Sequence, residues 1–126
     1  MELRVAIVGC GTAGPAAALF LKEQGHDVQV FERVIDPGPV GAGILIGPTG
    51  MTALARLGLL PGIMAAGERV DMLRGWTRGG RTVMDLRYAD LDQHFFGLGV
   101  HRGDLFNSLT GALERADIPL RCGVDV

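Results

Sequence analysis

The first thirty residues alternate between two kinds of hydrophobic pattern. Residues 4–9 contain a continuous apolar run of Val, Ile and Ala, which is typical of a strand buried in a parallel sheet. Residues 13–24 are rich in Ala and Leu and predict a helix, with Pro15 in its first turn and Gly25 as its C-terminal cap. A second β-type run follows at residues 27–32. Together the three segments predict one βαβ unit with parallel strands.

The pattern is less regular in the middle of the chain. Residues 33–43 hold two Pro and three Gly without periodicity, which predicts a loop. Apolar residues at helical spacing return at 48–57, and a shorter helix is predicted at 60–66. Residues 78–80, Arg-Gly-Gly, predict the turn of an antiparallel hairpin. The remaining predicted elements are the hairpin strands at 70–77 and 81–88, short strands at 98–100 and 120–122, a helix at 103–116 and the beginning of a strand at 124–126.

Composition and charge narrow the classes of function. The chain has 126 residues, enough for one domain, with 48% hydrophobic residues and a formal net charge of −2. Its 12 basic and 14 acidic residues form no basic stripe and no acidic tail, so binding to nucleic acid has no electrostatic support. No apolar run is long enough to span a bilayer, and the early first strand leaves no room for a signal peptide. We therefore expect a cytoplasmic globular protein.

The cysteines and histidines predict no metal site. Cys10 and Cys122 lack CxxC or any other metal-binding spacing, and both are expected to be reduced thiols. His94 and His101 have no acid or cysteine at a helical spacing that would complete a site. His26 begins a predicted strand and is expected to face solvent. The sequence assigns no catalytic residue.

The junction between the first strand and the first helix carries the most specific motif. Gly9-x-Gly11-x-x-Gly14 joins the two elements, and Glu32 ends the second strand eighteen residues later. In such a motif the first glycine permits a tight turn, the second lets backbone approach a pyrophosphate, and the third lets helix and strand pack closely. The helix N-terminus adds free N–H groups for the phosphates, and the acid accepts from a ribose hydroxyl. The motif therefore predicts dinucleotide binding.

The order of motifs along the chain resembles one enzyme family. In an ordinary NAD dehydrogenase the second strand leads into another crossover helix, whereas here it leads into a loop, a Gly-Ala-Gly-Ile segment, a helix and a hairpin. This order resembles the flavin-dependent aromatic hydroxylases, the group that includes p-hydroxybenzoate hydroxylase and the ubiquinone-biosynthesis hydroxylases. The resemblance is carried by residues 8–14, 31–33, 41–44, 47–48 with 54–59, and 100–105.

The resemblance implies that the bound cofactor is FAD, held by a Rossmann-like α/β domain. By the same resemblance, the enzyme hydroxylates a small aromatic substrate, with NAD(P)H as electron donor and O₂ as the source of oxygen. The implied cofactor-binding residues are Glu32 and Arg33 at the adenosine, Gly9, Gly11, Thr12, Ala13 and Gly14 at the pyrophosphate, Arg102 at the middle of the cofactor, and Ala42 and Gly43 at the ribityl chain and flavin.

The resemblance also implies a division of the chain into three parts. Residues 1–69 form the FAD-binding βαβ unit and flavin loop, residues 70–90 form a hairpin of the substrate-domain sheet, and residues 91–126 return to the FAD-binding domain. Family members run to several hundred residues, and their second nucleotide motif, an Asp-Gly pair, is absent here. We therefore expect a truncated, N-terminal part of such an enzyme, inactive alone. Gly41 stands where p-hydroxybenzoate hydroxylase has an arginine, so a flavin contact there would be lost or made by another group.

Two alternatives account for part of the pattern. An NAD(P)-dependent dehydrogenase explains residues 9–32 but leaves the Gly-Ala-Gly-Ile segment and the hairpin unexplained. The other alternative is a nucleotide-binding piece without turnover, whose incomplete sheet would expose apolar surface and so predicts a homodimer or aggregation. Two of the candidate binding residues also have a simpler interpretation. Glu32 is alternatively a solvated acid at the end of a strand, and Arg102 an ordinary surface residue.

Overall fold

The computed structural model describes residues 1–38 and 41–126, which form three sheets and four α-helices. The strands are β1 (Arg4–Val8), β2 (Asp27–Glu32), β3 (Gly43–Ile46), β4 (Glu68–Val70), β5 (Met72–Trp76), β6 (Thr82–Arg87), β7 (Gly97–His101) and β8 (Leu120–Cys122). The helices are α1 (Ala13–Glu23), α2 (Pro48–Arg56), α3 (Leu60–Ala65) and α4 (Arg102–Arg115), with a 3₁₀ turn at Tyr88–Asp90. In the described part of the chain, no helix has the length and apolar character needed to cross a membrane.

The first sheet is parallel, in the order β1-β2-β8, and it confirms the predicted βαβ unit. Helix α1 packs against β1 and β2 and also against α4, so one face of the sheet is covered. Val28 and Val30 point to that face and are 1% and 0% exposed. On the other face Val8 is 62% exposed. The expectation that residues 4–9 form a fully buried strand was therefore wrong, because helices cover only one face among the described residues.

The second sheet is antiparallel, in the order β3-β7-β4. The middle strand, β7, contributes Leu98 and Val100 to the core, where they are 2% and 3% exposed. Helices α2 and α3 pack against each other beside this sheet, and α4 leaves directly from the end of β7. The sequence pattern predicted neither β3 nor β4 as a strand. At four and three residues these strands are too short to show a period of two.

The third sheet is the predicted hairpin, in which β5 and β6 pair antiparallel from Met72 with Arg87 to Trp76 with Thr82. Its first strand begins later than predicted, because β4 takes the preceding residues and pairs Val70 with Gly97 of β7. All six residues of β6 are exposed. Trp76, the last residue of β5, is 59% exposed.

The structure confirms one further expectation and contradicts two others. Residues 33–38 and 41–42 contain no helix or strand, as predicted for the loop 33–43, while its residues 39 and 40 lie outside the described part. Residues 124–126 form no strand. His26 does not face solvent: it is half-buried where α1 turns into β2, and its Nδ1 is buried without a hydrogen-bond partner among the described residues. Its backbone N–H donates to the carbonyl of Leu21 (3.1 Å), which holds the residue inside the turn.

Candidate functional site

The glycine motif forms a tight loop from the end of β1 to the start of α1. Gly9 has a φ of +102°, a conformation that side chains disfavour, and its N–H donates to the carbonyl of Phe31 at 2.7 Å. A Cβ at Gly14 would overlap the carbonyl oxygen of Gly9, so the helix start lies directly against the loop. A Cβ at Gly11 would meet nothing within 4 Å. The loop thus has two glycines that its own backbone requires and a third that borders open space.

The first turn of α1 is open to a ligand. Its N-cap residue, Thr12, makes no side-chain capping hydrogen bond, and no acidic residue lies in the first turn. The first N–H groups of a helix have no partner within the helix and carry a partial positive charge. Within the described chain, these amides are therefore free to bind an anion, as the motif predicts.

Glu32 is fixed between the loop and the segment that follows β2. Its Oε2 accepts from the N–H of Cys10 at 2.7 Å, and its Oε1 accepts from the N–H of Val34 at 2.9 Å. These hydrogen bonds, from Val34 first and then Cys10, hold the pKa of the Glu32 carboxyl below its usual range. An ionised carboxylate has lone pairs beyond the two used here, so it retains capacity to accept from a hydroxyl group. Glu32 as a residue is half-buried.

Arg102 enters the site from the antiparallel sheet. It is the first residue of α4, and its backbone N–H donates to the carbonyl of Ala42 at 3.1 Å. The preceding residue, His101, caps the helix because its Nδ1 accepts from the N–H of Gly103 at 3.1 Å. No carboxylate of the described residues lies within ion-pair distance of the Arg102 guanidinium. A cation without a partner at a helix N-terminus is unfavourable unless an anion binds nearby.

These groups surround one cavity of about 270 Å³. Its lining includes Cys10, Gly11, Thr12, Glu32, Arg102 and Phe106. Elements distant in sequence therefore bring amide donors, a carboxylate and a guanidinium together around one space. The donor set fits a ligand that carries both phosphate oxygens and sugar hydroxyls.

Other predicted residues lie at the edge of this space. Arg33 is exposed and lines a neighbouring depression, together with Glu32 and residues 124–126. Ala42 and Gly43 are exposed, and neither borders the cavity, although the Ala42 carbonyl fixes the backbone of Arg102. The sequence did not single out Phe106 as a lining residue. An apolar residue in a helix is indistinguishable from a core residue by sequence, and only the tertiary fold places Phe106 at the cavity.

The thiol of Cys10 belongs to the core. Cys10 is 4% exposed, and burial, followed by the charge of Glu32 and the neighbouring Cys122, raises its pKa. A raised pKa leaves the thiol protonated and unreactive at neutral pH. Among the described residues, no group of three or more His, Cys, Asp or Glu side chains forms a metal site.

Comparison with known proteins finds relatives that match nearly the whole chain. The family described as FAD binding domain matches residues 2–121. The chain is 36% identical over 124 residues to 3-amino-4-hydroxybenzoate 2-monooxygenase of Streptomyces cremeus. That alignment covers 94% of this chain and 31% of the relative. It is 35% identical over 115 residues to 6-hydroxynicotinate 3-monooxygenase of Pseudomonas fluorescens, covering 87% and 30% respectively.

A solved structure has the same fold. The tetrameric form of 2-methyl-3-hydroxypyridine-5-carboxylic acid oxygenase superposes with a TM-score of 0.77 at 23% identity, over 97% of this chain and 31% of that one. This chain thus spans about 30% of the length of the relatives named here. Because the family match covers nearly the whole chain, and the relatives are monooxygenases of aromatic compounds, the chain belongs to the FAD-binding domain family of the flavin-dependent monooxygenases, as the motif order predicted.

Proposed function

We propose that this chain binds the ADP half of FAD and that the intact protein hydroxylates a small aromatic molecule with NAD(P)H and O₂. The observation that carries the proposal is the cavity in which the glycine loop, Glu32 and Arg102 meet. The aromatic substrate class is supported by the matched relatives, whose names specify hydroxylated benzoate and nicotinate substrates. When bound, FAD supplies the oxygen chemistry, while the protein positions the cofactor and excludes water.

Each group has a role that follows from its chemistry. The N–H groups of Gly11, Thr12 and Ala13 donate to the pyrophosphate, since the first turn of α1 lacks other partners. Glu32 accepts from the adenosine ribose with its unused lone pairs. Arg102 bridges phosphate and sugar oxygens, because a guanidinium presents several donors in fixed geometry.

The remaining predicted cofactor contacts are those of Arg33, Ala42 and Gly43. Arg33 lies toward the adenosine end of the site, where it borders the neighbouring depression with Glu32. Backbone at Ala42 and Gly43 approaches the ribityl chain and flavin. The hairpin β5–β6 belongs to a sheet that covers the substrate, which accounts for its exposed apolar residues, such as Trp76. For the intact protein we propose the division into residues 1–69, 70–90 and 91–126.

The size of the cavity limits what this chain does alone. A pocket that encloses a whole drug-sized ligand is typically about 300–1,000 Å³. The cavity here, about 270 Å³, lies at the small end of this range, as expected for a site that holds only part of a dinucleotide. We therefore propose that these 126 residues bind FAD weakly, mainly through its ADP portion, and do not turn over by themselves. The same exposed apolar surfaces support self-association into a homodimer.

Competition between nucleotides tests the binding proposal. FAD is titrated into the chain while flavin fluorescence is followed, and ADP, NAD and inorganic pyrophosphate are then added as competitors. We expect micromolar or weaker binding of FAD that ADP displaces fully. The matched variants are Glu32→Gln, which removes the charge that fixes the ribose end, and Asp85→Asn in the hairpin, which leaves the cavity unchanged.

Four results contradict the proposal in different ways, three with this chain and one with the intact protein. Nanomolar FAD binding shows that the chain holds more than the ADP portion. FAD binding that ADP does not displace places the cofactor outside this cavity. Direct binding of NAD, measured by titration calorimetry, together with no binding of FAD favours the dehydrogenase alternative. For the intact protein, a colourless purified enzyme that does not take up FAD contradicts the monooxygenase assignment.

A further inference from the structure

The guanidinium of Arg102 lies across the backbone of Gly41. A Cβ built on Gly41 would lie 3.0 Å from Nη1, 3.4 Å from Cζ and 3.5 Å from Cδ of Arg102. Carbon contacts are optimal at about 3.5–4.0 Å, so even one methyl group at residue 41 would crowd the charged end of this side chain. Gly41 also has a φ of +108°, which L-residues with side chains rarely adopt. The backbone conformation therefore favours glycine at this position, and a side chain here would push the end of Arg102 away by a few tenths of an ångström.

The same segment fixes the backbone of Arg102. The residue after Gly41, Ala42, accepts the N–H of Arg102, so the start of α4 and the loop are held together at this point. The helix start is further fixed by the His101 cap on Gly103. With its backbone held from both sides, the Arg102 side chain is positioned by what surrounds its guanidinium. Its end lies against the bare backbone of Gly41, and Arg102 is also one of the residues that line the cavity.

We propose that Gly41 is a positioning residue: its lack of a side chain leaves the space that keeps the Arg102 guanidinium over the cavity, which rests on the proposed function above. A side chain at residue 41 displaces the guanidinium, since the end of an arginine moves more readily than backbone. The displaced charge then binds the diphosphate of the cofactor less tightly. Gly41 therefore sets affinity for an anionic ligand without touching that ligand.

A double-mutant cycle tests this role, with ADP as the probe. Arg102→Gln is expected to weaken ADP binding by about tenfold, the effect of losing one charge-assisted contact. Gly41→Ala is expected to weaken it by about fivefold in the otherwise unchanged chain. In the Arg102→Gln background, Gly41→Ala is expected to have no further effect on affinity. The salt dependence of ADP binding should decrease in both single variants, because each removes the same charge from the site.

Backbone strain is separated from side-chain displacement by a matched control. Gly80 has a similar φ of +81° in the hairpin turn, and a Cβ there would meet nothing within 4 Å. Gly80→Ala therefore introduces comparable strain away from the cavity, and it should lower the urea midpoint while ADP affinity is unchanged. The urea midpoint should also fall equally for Gly41→Ala with and without Arg102. Gly41→Asn, which tolerates positive φ better than Ala, repeats the affinity measurement if Gly41→Ala does not fold.

The outcomes are distinguishable. Failure of the unchanged chain to bind ADP overturns the proposed function, and this inference with it. ADP binding that Gly41→Ala and Gly41→Asn leave within twofold of the original overturns the positioning role alone. An equal loss of affinity from Gly41→Ala in both Arg102 backgrounds also overturns it, because the glycine would then act through its own backbone.

Discussion

The parallel sheet and the β5–β6 hairpin differ in how much of their surface this chain itself buries. Val28 and Val30 in β2 are almost fully buried beneath helices, whereas every residue of β6 is exposed. The glycine loop and Glu32 belong to the supported region, since both are anchored at the ends of β1 and β2. The cofactor half of the site is therefore built where helices cover one face of the sheet. The hairpin has its register and turn but no packed face among the described residues.

The largest effect is expected where the glycine loop meets α1. Gly14→Val places a side chain where the carbonyl of Gly9 lies. The end of β1 and the start of α1 would have to move apart to make room for it. We expect a loss of about 4 kcal/mol in the free energy of unfolding, in the range of the most damaging single substitutions. Urea denaturation followed by circular dichroism measures it. Gly11→Ala is the matched control, because its Cβ meets open space, and its stability should stay within about 0.5 kcal/mol of the original.

A pair of leucine truncations compares the two regions directly. Leu109 in α4 is 1% exposed in the core, while Leu86 in the hairpin is 39% exposed. Leu109→Ala should cost about 3 kcal/mol of unfolding free energy, and Leu86→Ala less than about 1 kcal/mol. Both are read from the same urea titrations. Equal losses at the two positions would show that the hairpin is packed in solution, and the contrast between the regions would then be wrong.

The sequence predicted the self-supported region well because its signals are local. The glycine loop, the helix that follows and the strand ending at Glu32 are each specified by neighbouring residues, so their bounds agree closely with the structure. Strands β3 and β4 exist only because β7 lies between them, and no local pattern of three or four residues indicates such a partner. The one-sided burial of β1 was missed for the same reason: coverage of a sheet depends on which elements pack on it.

For the site, too, residues in local motifs were predicted and contacts that depend on the tertiary fold were not. The motif predicted Gly11 and Glu32 as binding residues, and the family resemblance added Thr12 and Arg102; the structure brings these four residues to one cavity. Phe106 was missed because its apolar character fits a core position equally well. The contact between Gly41 and Arg102 was also beyond the sequence, since it depends on the backbone φ of one residue and the path of another side chain.

The pH dependence of stability should distinguish Glu32 from acids in the hairpin. Its folded-state pKa is lowered, so Glu32 stabilises the fold above its unfolded pKa of about 4.3, and this contribution disappears as the pH falls through the lower, folded value. Urea midpoints of the original chain and Glu32→Gln should differ at pH 7 and converge toward pH 3. Asp85→Asn is the control and should show a much smaller convergence. A difference for Glu32→Gln that is unchanged across this range would mean that the hydrogen bonds from Cys10 and Val34 do not hold the ionised form.

The smallest effect is expected for the ion pair that crosses the hairpin. The Nε of Arg74 donates to Oδ1 of Asp85 at 3.1 Å, and the two residues are opposite each other in the β5–β6 register. Their side chains are 36% and 49% exposed, so water and salt screen the attraction. A double-mutant cycle of Arg74→Gln and Asp85→Asn should give a coupling energy of about 0.5 kcal/mol, which decreases in 1 M NaCl. A coupling above about 2 kcal/mol would require a desolvated pair, and hence a partner surface that covers this face of the hairpin in solution.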